Sequence, residues 1–582
     1  MEPRFVVGPP GTGKTHTYIV HNIKDRIAEG YDASRIVLLS HTNKVAELLL
    51  NAILKIKEIK EGEYDEEFFR DRICTIHHFC KSKLPKGREV IADNNCREHI
   101  QNLKRINTLF RHSKPNTLKQ HSFFKFIKDA HGNGRSLEEH WNHPNTDKEE
   151  YSPYKISDLE KLEDVYKTYK GRAIYDFADM IDNFNDLNEE CDIDVLMVDE
   201  AQDSNVPQMK ALKIMAKNVK EEHFYLIGDP DQTIFEFAGS DADYFHKAAA
   251  NPYHELKNGL RCGRAINTFC KKIIAPVWKN YGYERTWLPA VYNKEYHKIP
   301  EGCKEGDIIE GHKYDLTDLK PSKNLDILLD KMRNTKQTFV FAYRGYPSNV
   351  YITKFLKHHG FEFAHVGSEG PHVSKKELRC HKEWPEFIHG KPESLDQIKQ
   401  FWKYLGREAI VWGKGSFKFE GWIKRDYTYT ELVEAKLLKP NLNKSFDLLI
   451  TGQKDHDDRM LYIKNVLRNG FDFNAKIRIE HGSIHIIKGT TFHNVVGDLS
   501  IYRKKPESFF IQRRLKYTMF SRGVFDCWVL RTSSADSRGL LGDYGPIPVK
   551  KSWTLDEDSF HREWRPDWNE IQNPINNDRR IT

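Results

Sequence analysis

Long apolar runs are missing from this chain of 582 residues. No stretch approaches the ~18 consecutive apolar residues that a membrane-crossing helix needs, so none is expected. Cysteine is scarce and scattered, at positions 74, 80, 96, 191, 262, 270, 303, 380 and 527, with no C-x-x-C pair. That pattern argues against a disulfide framework and suits a reducing compartment. Neither sign of charge dominates: 91 Lys and Arg against 84 Asp and Glu leave a net +7, which permits an acidic partner without requiring one. Glycine (35) and proline (24) are too few for a collagen-like or broadly disordered chain. The opening MEPRFVVGPP lacks the charged-then-apolar order of an export leader. A soluble, cytoplasmic protein is expected.

What is present is length, enough for about three or four domains, and a set of motifs. Arg4 to Val7 reads as a short strand, followed by a glycine loop and by Ile19, Val20, Ile23 and Ile27 at helical spacing up to Gly30. Ile36–Leu39, Val195–Val198 and Phe224–Ile227 are continuous apolar runs of the kind buried in parallel sheets. Each ends in polar residues, where such a sheet places its active edge. The core is therefore expected to be doubly wound α/β. Residues 85–175 turn charged and aromatic with helical spacing and read as a helical insertion. A second α/β pattern starts near 251 and includes Thr338 to Tyr343, Val495 to Ile501 and Cys527 to Leu530. A lysine- and tryptophan-rich stretch, 371–475, interrupts it as a second insertion, and the chain after Leu530 reads as an extended tail.

The chemistry starts at Gly8-Pro9-Pro10-Gly11-Thr12-Gly13-Lys14-Thr15, which satisfies G-x-x-x-x-G-K-[ST] between a strand and a helix. Backbone N–H groups unobstructed by side chains can wrap phosphate oxygens at a helix N-terminus. Lys14 would reach the β/γ phosphates, and Thr15 would ligate Mg²⁺. Asp199 and Glu200 end a buried strand, so the first would hold the metal and the second take a proton from the attacking water. A lone acidic pair would more often be a helix cap, but this one opens DEAQDS. Cys74, His77, His78 and Cys80 have metal-like spacing, yet no second ligand pair follows, and zinc is not expected.

Eight segments in order resemble the motif series of the superfamily 1 helicases of the UvrD/Rep type. They are GPPGTGKT (8–15), SHTNKVAE (40–47), CTIHHF (74–79), DEAQDS (199–204), GDPDQTIFEFAGS (228–240), LKNGLRCGRAI (256–266), IHIIKGTTF (484–492) and RRLKYTMFSRG (513–523). The resemblance spans residues 1 to about 530 and implies two RecA-like P-loop NTPase domains with parallel sheets, each carrying an inserted subdomain. The expected division is 1–84 with 176–250 for the first, 85–175 for its insertion, 251–370 with 476–545 for the second, 371–475 for its insertion and 546–582 for the tail.

The resemblance further implies that Gln232 senses the γ-phosphate and that Arg261 and Arg522 clamp it from the second domain, so that hydrolysis depends on closure. It places single-stranded DNA against His41, Thr42, Asn43, Lys44, His77, Phe235, Phe237 and His485. Stacking on aromatics accepts any base, which suits a motor indifferent to sequence. ATP and Mg²⁺ are the implied cofactors, and single strands and duplex junctions the implied partners of a monomer or a dimer on DNA. The expected activity is ATP-dependent 3′→5′ translocation and unwinding. Stripping of proteins from DNA, and a nucleotide-switched recruitment protein, are the alternatives. A bacterial or phage-infected cell is the expected setting.

The chain also departs from the family pattern. Seven residues precede Gly8, which leaves no room for the family's adenine-gripping glutamine, and Leu260 stands where a stacking tyrosine is usual. Thr491 replaces a glutamate that would meet the ribose, and Phe237 and Ala238 replace a tryptophan and an arginine. The first two departures are expected to relax the preference among nucleotides, and the last to loosen the coupling of the motor.

Overall fold

The computed structural model describes residues 2–531 apart from 57–58, 60–65, 93–94, 113–120, 145, 147, 172, 293–303, 305, 318, 369, 412–418, 445, 450–455, 471 and 500–508. The tail expected after Leu530 therefore lies outside the described residues beyond Arg531. Among the described residues, no helix is long and apolar enough to cross a membrane.

Strands β1 (Arg4–Val7), β2 (Ile36–Ser40) and β3 (Ile73–Thr75) begin a sheet that is left for an excursion and then completed. The excursion carries a two-residue ladder between β4 (Glu89–Val90) and β5 (Ile174–Tyr175). Strands β6 (Val195–Val198), β7 (Phe224–Gly228) and β8 (His254–Glu255) then give the order β3-β2-β6-β7-β1-β8, parallel throughout. Every residue of β2, β6 and β7 is buried, which is why their sequences run continuously apolar instead of alternating. Alternate side chains feed two cores. Val37, Leu39, Leu196 and Val198 enter one, and Leu38, Val195, Met197 and Tyr225 the other. Since Val7 is level with Gly228, Leu39 with Val198 and Ser40 with Thr75, the strands end together. One edge of the sheet therefore presents Gly8, His41, Asp199 and Asp229.

The excursion is mainly helical, with helices at Cys96–Ile106, Ser122–Gly132, Leu137–Asn142 and Ile156–Lys170. It has its own core of Leu103, Phe110, Phe123, Phe126, Leu159 and Leu162. Helix Ser122–Gly132 nonetheless leans on the loop after β7. A Cβ at Gly132 would collide with the Ala238 carbonyl, and one at Gly239, where φ is +93°, with the Gly132 carbonyl.

The second sheet is built from β9 (Lys313–Thr317), β10 (Phe339–Tyr343), β11 (Ala364–His365), β14 (Ile479–Ser483), β15 (Phe492–Asp498) and β16 (Gly523–Arg531). Its order is β11-β14-β10-β15-β16-β9, again parallel. Between β11 and β14 a separate core of Trp384, Phe387, Phe401 and Phe446 forms beside the antiparallel pair β12 (Glu393–Ser394) and β13 (Asp426–Tyr427). Helix His456–Arg468 falls within the stretch expected to be inserted. Its Met460, Tyr462 and Ile463 pack with Phe339 and Phe341 of the second sheet, and its Arg459 pairs with Glu377 at 2.6 Å. The expected runs 338–343, 495–501 and 527–530 are strands with shifted limits, Phe339–Tyr343, Phe492–Asp498 and Gly523–Arg531. The short edge strands β8, β9 and β11 carry no readable period, because two to five residues at a sheet margin need neither alternation nor continuous burial.

Candidate nucleotide and nucleic-acid site

The loop after β1 folds as its glycines require. Gly11 and Gly13 take φ of +68° and +82°, a region closed to most side chains, and a Cβ on Gly11 would collide with that of Arg261. The following helix opens in a wide turn in which the N–H groups of Thr17 and Tyr18 both donate to the Gly13 carbonyl at 2.9 Å. The Pro9 carbonyl accepts from the Thr12 hydroxyl at 2.8 Å, and Pro10, just before Gly11, is buried. The Lys14 ammonium is buried in the loop and donates to the carbonyls of Gly8 (2.7 Å) and Pro9 (3.2 Å). Burial pulls its pKa below the ordinary lysine value, against the opposing charges of Asp229, Glu200 and Asp199.

Thr15 donates its hydroxyl to Asp199 Oδ2 at 2.8 Å, which joins the helix N-terminus to the end of β6. Asp199 is fully buried. Burial and then the neighbouring Glu200 charge raise its pKa to about 7. Two hard oxygen donors side by side suit Mg²⁺, and the glycine cradle suits phosphate oxygens. The Thr17 hydroxyl oxygen, buried without a hydrogen-bond partner among the described residues, is a further polar group at this loop. On these grounds the residues present fit a Mg–nucleotide.

Glu200 occupies the left-handed region at φ 52°, ψ 36°, a rare conformation for a glutamate and one that recurs at functional sites. Burial opposes its ionisation, but Lys488 and then Lys14 outweigh that and hold its pKa down to about 2. Glu200 is thus ionised at neutral pH, as a proton acceptor must be. Gln202 Nε2 donates to Glu200 at 2.6 Å, and Gln202 Oε1 accepts from the Asp229 N–H at 3.1 Å.

Gln232 and two arginines from later in the chain close over this edge. Gln232, on the loop after β7, is buried; its Nε2 donates to Asp229 Oδ2 at 2.8 Å and its Oε1 accepts from Arg522 Nη2 at 2.5 Å. Arg522 also donates Nε to the Thr518 carbonyl at 3.0 Å. Arg261 directs Nη1 toward the Ser521 carbonyl at 3.4 Å while its Cα and Cβ lie against Gly11. Burial and then the neighbouring Arg522 charge lower the Arg261 pKa to about 10. Burial likewise lowers that of Arg522. Leu260 donates its N–H to the Gly11 carbonyl at 2.6 Å. Both arginines and the glycine loop thus share one crevice.

The residues expected to meet a strand lie on the adjoining face. His41 approaches the Ser204 hydroxyl at 3.1 Å, and burial lowers its pKa to about 3. Thr42 caps helix Asn43–Ile53 by accepting from the Val45 N–H at 3.3 Å, which leaves Thr42 and Asn43 exposed. The side chain of Lys44 lies outside the described residues, as does that of Phe237. His77 packs edge-on against Phe177 with ring centroids 5.4 Å apart. Phe235 and His485 are edge-on at 5.3 Å, and His485 lies 2.9 Å from Arg344 Nη1.

Three contributors were not singled out by sequence reasoning. Gln202 and Lys488 stand inside quoted segments without a role assigned to them; Lys488 donates to both Asp203 oxygens, at 2.7 and 2.5 Å, and to the Gln232 carbonyl at 2.7 Å. Arg285 lies outside every motif, and no sequence signal points to it. Among the described residues, no group of three His, Cys, Asp or Glu could hold a metal ion.

Comparison with known proteins finds one matching family and several relatives over part of the chain. Residues 1–252 match the UvrD/REP helicase N-terminal domain family. A "Probable DNA helicase II homolog" of Mycoplasma capricolum subsp. capricolum is 26% identical over 280 residues, 43% of this chain and 36% of that one. "ATP-dependent DNA helicase Rep" of Buchnera aphidicola subsp. Baizongia pistaciae is 26% identical over 265 residues, 42% of this chain and 36% of that one. "RecBCD enzyme subunit RecB" of Buchnera aphidicola subsp. Schizaphis graminum is 36% identical over 81 residues, 14% of this chain and 6% of that one. The matched stretches thus span little more than a third of these relatives at most.

Proposed function

Because the chain is UvrD/Rep-like over its first 252 residues, we propose that it is an ATP-dependent DNA helicase that moves 3′→5′ along single strands and unwinds duplex. The observation that carries this reading is the arrival of Arg522 at Gln232, 2.5 Å apart, beside the Lys14 loop and the Asp199–Glu200 pair. A phosphoryl-transfer site that draws an arginine from the turn before β16 of the second sheet would be completed by closure, and closure and reopening can be converted into steps. The proposed domain division follows the motif order: 1–84 with 176–250, and 251–370 with 476–545, around the two insertions.

In this reading the glycine loop and Lys14 bind the triphosphate, and Thr15 and Asp199 hold Mg²⁺. The metal–nucleotide supplies the phosphoryl group and charge neutralisation. Glu200 takes the proton of the attacking water, Gln232 orients that water or the γ-phosphate, and Arg261 and Arg522 balance the charge that develops. Thr42, Asn43, Lys44 and the His41, His77, Phe235, Phe237 and His485 rings would form the track for the strand, at about 1–3 kcal/mol per stacked base.

The test is nucleotide turnover with and without single-stranded DNA or RNA across ATP, GTP, CTP and UTP. Strong stimulation by DNA, with turnover of several nucleotides, is expected. Turnover indifferent to polynucleotide would refute a motor and leave a nucleotide switch. A duplex with a 3′ tail should be opened and one with a 5′ tail should not. Displacement of a bound protein without strand separation would mark a stripping translocase instead. Glu200→Gln should keep nucleotide binding within a few-fold and slow hydrolysis by about 10²–10⁴, the usual contribution of a positioned proton acceptor. An unchanged rate would remove Glu200 from that role.

A further inference from the structure

Arg285 enters the first sheet's edge from the stretch that follows helix Arg264–Asn280, far from any motif. It is almost fully buried. Its Nη1 donates to Asp229 Oδ1 at 2.9 Å and lies 3.5 Å from Asp231 Oδ2. Asp231 Oδ2 also accepts from the Trp278 indole at 2.7 Å. Asp229 uses its remaining groups in the site itself: Oδ2 accepts from Gln232 Nε2 at 2.8 Å and from the Tyr517 hydroxyl at 3.3 Å, and its N–H donates to Gln202. Gln202 in turn donates to Glu200, and Gln232 accepts from Arg522. The Asp229 carboxylate therefore joins Arg285 to Gln232 and, through Gln232, to Arg522, while its main-chain N–H meets the Gln202 that donates to Glu200.

The Asp229 carboxylate is fully buried, so its orientation is set by the donors around it and not by solvent. Arg285 is the charged one among them, and a guanidinium with fixed fork geometry is better suited to that than an ammonium. Burial works against the charge on Arg285, but Asp231, Tyr283 and Asp229 outweigh it, so Arg285 keeps its charge. The partner also comes from the far side of the crevice. Arg285 follows Arg261 in the chain and packs beside Tyr517, which shares its helix, Phe509–Phe520, with no residue of the first sheet.

We propose that Arg285 is a positioning residue for hydrolysis, which acts through the Asp229 carboxylate to hold Gln232 in register with Arg522. The inference rests on the hydrolytic function proposed above and goes beyond it in assigning a role outside the motif segments.

The experiment compares Arg285→Gln and Arg285→Lys in the parent protein and in a Gln232→Ala background, at saturating single-stranded DNA, with thermal melting and nucleotide binding followed in parallel. In the parent, Arg285→Gln is expected to lower kcat by more than about 30-fold with KM changed less than about 3-fold, since binding and orientation separate in this way. Arg285→Lys should recover part of the loss. In the Gln232→Ala background, Arg285→Gln should cost less than about 3-fold more, because two residues acting through one group are not additive. Equal fold-losses in both backgrounds, or a fall in melting temperature with kcat per folded molecule unchanged, would overturn the assignment. A parent protein whose turnover does not respond to Lys14→Ala would instead mean that the hydrolytic reading itself has failed.

Discussion

Alanine at position 14 is expected to abolish nucleotide turnover, by at least about two to three orders of magnitude, the cost of removing one preorganised charge-stabilising donor. The Lys14 ammonium is buried against the Gly8 and Pro9 carbonyls at 2.7 and 3.2 Å, so it is held within the loop that would wrap the phosphates. The substitution removes a cation from the midst of Asp199, Glu200 and Asp229 and leaves a smaller side chain that can donate nothing. Nucleotide binding should weaken along with kcat, because Lys14 meets the ground-state phosphates as well as the transition state. Steady-state hydrolysis and a fluorescent-nucleotide titration read the two effects separately. Wild-type turnover in Lys14→Ala would show that the loop is not the phosphate site.

The second large effect belongs to Arg522. Arg522→Ala is expected to reduce kcat by about 10³–10⁵, the range for an arginine finger, while nucleotide affinity changes little. The guanidinium donates to Gln232 at 2.5 Å and to Thr518 at 3.0 Å, so it is fixed on the second sheet's side and reaches across to the first. Its loss also leaves the Gln232 oxygen without that donor. Stopped-flow hydrolysis at saturating DNA, beside equilibrium binding of a non-hydrolysable nucleotide, measures both quantities. A loss confined to affinity would make Arg522 a ground-state clamp instead.

These two residues also illustrate what the sequence made legible. The loop that holds Lys14 was readable because its pattern is local: a strand, a loop of fixed glycine spacing and a helix start are all contained in about fifteen residues. Asp199 and Glu200 were readable for the same reason, since a fully buried strand announces its own polar end. Arg522 and Gln232 were legible only through the ordered resemblance, because nothing local in either segment tells that two side chains 290 positions apart meet. Arg285 was not legible at all. Its role arises from burial beside Asp229 and Asp231, and an arginine after a helix carries no pattern that distinguishes such a place from a solvated one. The fold followed the same division. The interior strands β2, β6 and β7 were apparent from continuous apolarity, whereas the margins β8 and β11, two residues each, were not. Helix His456–Arg468 lies in the stretch expected to be inserted, yet Met460, Tyr462 and Ile463 pack with the second sheet's core, and the pattern of charged and apolar residues in a helix does not reveal which core receives it.

The contact between Gly132 and Gly239 constrains how this molecule can diverge. With a Cβ excluded at both, neither site can accept even alanine unless the helical excursion moves away from the loop that bears Phe235, so each place admits glycine alone for as long as the two segments keep this spacing.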